Sequence, residues 1–226
     1  MLFRYLAQMR SILYVAPVVL LAITCHEYAH GWMSDRLGDP TPRAAGRMSL
    51  NPLRHLDIFG TLCLLIFHIG WAKPVPIDPR YYRDRKKGII LVSLAGPATN
   101  LLLAFLSLLL QGVLIKFGSP QSTVIVHGVL LAYYSAIVNI GLALFNLIPL
   151  PPLDGSNIAG ELSGKIAHIY YRWRPYWRLV LAVLVLTGIL GEPLGALNGK
   201  VYSVFWSIVK NLLSIRFPVS ISGTLL

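Results

Sequence analysis

Acidic side chains are scarce here: nine Asp and Glu stand against twenty Lys and Arg in 226 residues, a formal net charge of +11. Charged residues of both signs make up only 13%, about half the usual share for a soluble domain. Cysteine is scarcer still. Cys25 and Cys63 both lie in apolar surroundings and form no C-x-x-C pair, which argues against a disulfide framework. Cys25 directly precedes a histidine, but neighbouring helical residues point about 100° apart, so it reads as packing rather than as a thiol ligand. The basic excess comes without a basic–aromatic pattern or a nucleic-acid motif, and nucleic acid is not expected as a partner. Repeats, linkers and an appended soluble domain are not discernible.

Apolar residues are plentiful instead, at 55% with a mean hydropathy of +0.64. Several runs reach membrane-spanning length. The expected fold class is an all-α polytopic membrane protein with about four to six transmembrane or re-entrant helices and a short extended membrane-associated segment. One membrane-embedded domain over residues 1–226 is expected, with its motif-bearing core at 11–160 and C-terminal helices at 179–219. Spans are expected at 11–33, 88–117, 124–148 and 179–190. The last run, 201–219, is interrupted by Lys210 and Arg216 and either crosses or lies in the interface. Residues 58–69 are too short to cross and suit a re-entrant or interfacial piece. Residues 70–77 contain Pro74 and Pro76, a spacing that predicts extended chain. Arg4 and Arg10 before the first run resemble the start of a signal peptide. Cleavage there would strip the helix that carries the histidines below, so retention is expected.

The basic residues sit between the apolar runs, where they set orientation and meet anionic headgroups. If the first span ends in the cytoplasm and 58–69 dips in and returns, residues 34–57, 71–88 and 160–178 are all cytoplasmic. Those segments hold 14 of the 20 Lys and Arg, as the positive-inside rule requires. Arg4, Arg10, Lys116 and Lys200 fall on the opposite side, with Lys210 and Arg216 as further candidates for it.

The chemistry concentrates near the end of the first run, in His26-Glu27-Tyr28-Ala29-His30. Residues four apart share a helix face, so His26 and His30 point together with Glu27 close by. Two imidazoles and an adjacent carboxylate suit Zn²⁺ and its activated water, the chemistry of a metal-dependent peptide hydrolase. In a chain with so few His and Glu, H-E-x-x-H arises by chance in about two per thousand such sequences. The competing reading, a capped helix end with two satisfied interfacial histidines, is weakened by the cost of an ionisable trio beside an apolar segment.

Such a site takes three protein ligands and leaves one position open. Asp35 and Asp39 read as turn residues, and Asp78 and Asp84 as solvated pairs among cations. Asp57 and Glu161 remain open. Asp154 is the strongest candidate, because Pro149, Pro151 and Pro152 precede it and Gly155 follows. Broken backbone at membrane depth is tolerated only where it is buried or lines a cavity. The competing role for Asp154 is a helix N-cap starting at Gly155 or Ser156. Asn100, within Gly96-Pro97-Ala98-Thr99-Asn100 of the second span, needs an internal partner, and Pro97 should bend that helix. His55, His127 and His168 read as interfacial, and His68 as a weaker site candidate.

H-E-Y-A-H at 26–30, G-P-A-T-N at 96–100 and N-L-I-P-L-P-P-L-D-G at 146–155 resemble, in order, the motifs of the site-2 protease family, the intramembrane zinc metalloproteases of peptidase family M50. The resemblance implies one Zn²⁺ per chain held by His26, His30 and Asp154, with Glu27 as general base. It also implies a catalytic role for Asn146, binding the substrate backbone or steadying the oxyanion. Residues 70–77 resemble the family's extended segment, whose edge could pair with an unwound substrate. The family's extra N-terminal helices, PDZ modules and CBS modules are not recognised, so a minimal, core-only member is expected. The implied partners are membrane lipids and a transmembrane or membrane-inserted peptide substrate. The expected location is the cell (inner) membrane of a prokaryote, with the site towards the cytoplasm. A metal-ion transporter and a catalytically inactive scaffold for membrane segments are the competing functions.

Overall fold

The computed structural model describes residues 2–55 and 73–215, with side chains from residue 12 onward. The expected re-entrant piece, Asp57, Cys63, His68 and the start of the extended segment lie outside the described residues. So does the tail of the last apolar run. Among the described residues all regular structure is helical: α1 (Leu2–Arg36), α2 (Thr41–Ala44), α3 (Arg85–Phe117), α4 (Thr123–Asn146), α5 (Asp154–Leu162), α6 (Gly164–Arg172), α7 (Trp177–Leu186) and α8 (Gly191–Leu212). The chain is an all-α, multi-pass membrane protein. Ile12–Arg36 of α1, together with α3 and α4, is long and apolar enough to cross a bilayer.

These three helices pack on one another through small residues. Ala22, Ala95, Ala104, Ala132, Ala136 and Ala143 are buried, which lets backbones approach where lipid offers no competing hydrophobic drive. Towards the Lys116 end, Leu108, Ala136 and Val209 form a buried cluster flanked by Phe105 and Trp206. Asp84 starts α3 by accepting from the Lys87 N–H, and α3 runs unbroken through the buried Pro97.

The C-terminal region departs from the sequence expectation. Where a span was expected at 179–190, α7 has only ten residues, about 15 Å and too short to cross alone, but with α8 it forms a bent pair long and apolar enough for one broken span or a re-entrant loop. A turn through Gly188, at φ +71°, joins α7 to α8 at 77°. The Asn198 amide donates to the Ile137 carbonyl, and Lys116 Nζ donates to the Leu213 carbonyl. Thus α8 runs along α4 and ends beside the end of α3. Lys200, two residues past Asn198, lies beside the middle of α4 and not at the Lys116 end. An apolar-run reading misplaces it because Gly195, Gly199 and Lys200 break the hydropathy but not the helix.

The connection after α1 is tied down by a buried carboxylate. Asp39 has no exposed surface. Its oxygens accept from Ser34 Oγ at 2.7 Å, the Thr41 N–H at 2.9 Å and the Asp78 N–H at 2.8 Å. Burial pushes its pKa up, but these donors outweigh burial and leave it below the ordinary carboxylate range. Asp39 is therefore more than the turn residue its position suggests. His55 is likewise buried, with Nε2 donating to the Ser49 carbonyl at 2.7 Å.

Candidate metal centre

His26 and His30 stand one turn apart on α1, about 9 to 15 Å inside its Arg36 end by helical rise. Both are buried. The chain returns to them after α4, where the proline-broken segment 147–153 leads into α5. Asp154 opens α5, and its carboxylate makes no capping bond; Leu153 occupies the N-cap position. Its Oδ2 instead lies 3.2 Å from His26 Nε2 and 3.3 Å from His30 Nε2. The two Nε2 atoms are 3.0 Å apart. Among the described residues this trio is the group of His, Cys, Asp and Glu side chains able to hold a metal ion.

The chemistry of this triangle can be worked out from its outer partners. His30 Nδ1 lies 2.7 Å from the Val92 carbonyl, which only accepts, so Nδ1 carries the proton. Asn100 Nδ2 donates to the Ala22 carbonyl at 3.2 Å and to Asn139 Oδ1 at 2.8 Å. Its Oδ1 therefore accepts from His26 Nδ1 at 2.6 Å. Neutral imidazole has one N–H, so both Nε2 atoms present lone pairs to one another and to the carboxylate. No hydrogen-bond donor reaches the buried Asp154 Oδ2. Three acceptors facing one another without a proton are repulsive unless a cation lies among them. Donors held about 2.0–2.1 Å from a tetrahedral ion lie about 3.3 Å apart. The observed 3.0–3.3 Å edges fit that group.

Gly96 forms one wall of the site. A Cβ there would stand 2.5 Å from His30 Nε2 and 2.7 Å from His26 Nε2, so only glycine lets α3 approach the imidazoles. The G-P-A-T-N motif thus has two uses: Gly96 leaves room, and Asn100 sets the His26 tautomer. Asn139, about two thirds of the way along α4, continues the chain by donating to the Ser135 carbonyl at 2.9 Å. Sequence reasoning missed Val92, Gly96 and Asn139. Asn139 could have been flagged as an amide inside a spanning run; a backbone carbonyl such as Val92's has no sequence signature. We expect Asn100→Leu to fold but to weaken zinc affinity by about 10- to 100-fold, measured by competition with a chelator of known affinity. Unchanged affinity would show that His26 is oriented by other means.

Glu27 is half-buried, and its Oε2 accepts from the Val75 N–H at 3.0 Å. Asn146 ends α4, where its Nδ2 donates to the Leu142 carbonyl of the same helix at 2.9 Å. It makes none of the contacts of the trio. Glu161 pairs with Arg85 at 3.3 Å, away from the trio. Asp35 and Asp78 pair with Arg43 and Arg80, and Asp84 with Lys87. His127 contacts the Tyr14 hydroxyl, and His168 is exposed. Cys25 lines an apolar groove of about 260 Å³ with Tyr28, Trp32, Thr99 and Leu103.

Comparison with known proteins gives the family. The family model of peptidase family M50 matches residues 115–188. A Bacillus subtilis protein named "Putative zinc metalloprotease YwhC" is 38% identical over 151 residues, which cover 66% of this chain and 68% of that one. The chain belongs to peptidase family M50. Two relatives with the same description lie further off. Rip2 of Mycolicibacterium smegmatis is 29% identical over 76% of this chain and 66% of its own. MJ0611 of Methanocaldococcus jannaschii is 29% identical over 66% of this chain and 62% of its own. The chain thus spans roughly two thirds of the length of each of these relatives. No solved structure matches.

Proposed function

We propose that this M50 member is an intramembrane zinc endopeptidase that hydrolyses peptide bonds of transmembrane or membrane-inserted polypeptides near the cytoplasmic face. One observation carries the reading: His26 Nε2, His30 Nε2 and Asp154 Oδ2 converge within 3.3 Å of one another on and against a spanning helix. Zinc, when bound, supplies the Lewis acidity that brings water's pKa to about 7 and polarises a carbonyl.

The remaining work falls to side chains. Glu27 accepts the attacking water's proton and passes it to the leaving amide nitrogen. With Oε2 engaged by Val75, Oε1 is the free acceptor. Asn146 keeps a second N–H beyond the one given to Leu142, and we assign it to the charge growing on the attacked carbonyl oxygen. A helical substrate must unwind first, because its carbonyls are held in intrahelical bonds. Arg36 ends α1, and Arg43, Arg47, Arg54, Lys73, Arg80 and Arg83 lie between α1 and α3, so we read that end as cytoplasmic. Bacterial and archaeal relatives favour the cell membrane of a prokaryote as its location, with lipid around it.

Metal analysis of detergent-purified protein, paired with cleavage of a membrane-spanning peptide with and without chelator, tests this. One zinc per chain and chelator-sensitive cleavage are expected. Folded protein that carries no divalent metal under any condition would overturn the reading, and metal flux into proteoliposomes without cleavage would make it a transporter.

A further inference from the structure

Residues 73–78 lie across the second half of α1, held by three main-chain donors. The Lys73 N–H donates to the His55 carbonyl at 2.8 Å, the Val75 N–H to Glu27 Oε2 at 3.0 Å and the Asp78 N–H to Asp39 Oδ2 at 2.8 Å. Pro74 and Pro76 have no N–H. The Val75 amide is therefore the single main-chain donor in Pro74-Val75-Pro76, and it is spent on Glu27. The Val75 side chain is buried, with Cγ1 only 3.2 Å from where a Cβ on Gly31 would stand. The strap thus touches α1 immediately beyond His30.

Its far end is held as firmly. Ser34 Oγ donates to Asp39 Oδ2, so its remaining contact at 2.7 Å has the Tyr82 hydroxyl as donor. Asp39 receives donors from α1 (Ser34), from the start of α2 (Thr41) and from the strap (Asp78). An ionised carboxylate suits three donors arriving from three segments.

We propose that residues 73–78 position the general base, with the Val75 N–H fixing Glu27 Oε2 and Asp39 acting as the remote positioning residue that keeps the strap down. This rests on Glu27 being the base in the endopeptidase reading above. A Glu side chain rotates freely, and reaction geometry tolerates little displacement. A charge-assisted bond from a buried, proline-flanked amide confines one carboxylate oxygen and leaves the other aimed at the water. Asp39→Asn would loosen this hold, because an NH₂ edge must then face either Thr41 or the Ser34 and Asp78 donors.

The two prolines also make the test clean, since residues 74–76 hold a single exchangeable amide, that of Val75. Hydrogen–deuterium exchange on the zinc-loaded protein is expected to show a slow Val75 amide. It should exchange about tenfold faster or more in Glu27→Ala and in Asp39→Asn. Asp39→Asn should keep its zinc and its KM within about threefold while kcat falls about tenfold or more; Val75→Pro should do the same. A wild-type Val75 amide exchanging at the rate of unstructured peptide would overturn the proposal. So would an Asp39→Asn protein that frees the amide and keeps full kcat. Exchange reads the contact without turnover, so a wild type that protects the amide yet cleaves nothing would overturn the endopeptidase reading and support the strap contact.

Discussion

A folded Glu27→Gln protein is expected to keep its zinc and to lose cleavage by about 10²- to 10⁴-fold, the range that a positioned general base contributes. The change is nearly isosteric, and glutamine can still accept from the Val75 N–H that meets Glu27 Oε2. The scaffold should therefore stand, while the group that takes the proton is gone. His26→Ala and Asp154→Ala should differ in kind. Each removes one corner of a triangle whose edges are 3.0–3.3 Å, so zinc is lost together with turnover. Metal content and rate, measured on the same preparations, separate the two classes. Retained cleavage in metal-loaded Glu27→Gln would rule out Glu27 as the base.

The second large effect is expected where no functional group is touched. Gly96→Ala should empty the site while leaving α3 at least as helical, since alanine is the better helix former by about 1 kcal/mol. The added Cβ would lie 2.5 Å from His30 Nε2 and 2.6 Å from His26 Cε1. Neither ring can turn away without giving up Nδ1: His30 is held by the Val92 carbonyl and His26 by Asn100. α3 cannot back off without losing those same bonds. We expect zinc affinity to fall by at least about 100-fold, with chelator-sensitive cleavage below detection and the circular dichroism unchanged. Near-normal zinc binding in Gly96→Ala would mean that α3 does not press on the imidazoles as described.

Much of this was legible from residue order. H-E-x-x-H on an apolar run carries its own geometry, because helical periodicity alone brings His26 and His30 to one face. Three prolines before Asp154 announce a backbone break, and the Lys and Arg loops predict which helix ends lie together. Lys200 shows where such reasoning stops: a charge between two apolar runs looks like a loop residue until the helix it belongs to is seen packed on α4. Asp39 shows the converse. Beside Gly38 it looks like an ordinary turn residue, and only tertiary contacts reveal the three donors that bury it.

By itself, then, the sequence determined a helical membrane protein and the two imidazoles with their neighbouring carboxylate, all consequences of period and hydropathy within single segments. The tertiary structure decided what depends on separate segments meeting. It set the Asp154 carboxylate against the two imidazoles instead of in a cap, and it tied Glu27 to Val75, Asn100 to His26 and Gly96 to both rings. Such contacts are set by how closely backbones approach across the bundle, and no local pattern in a chain encodes that distance.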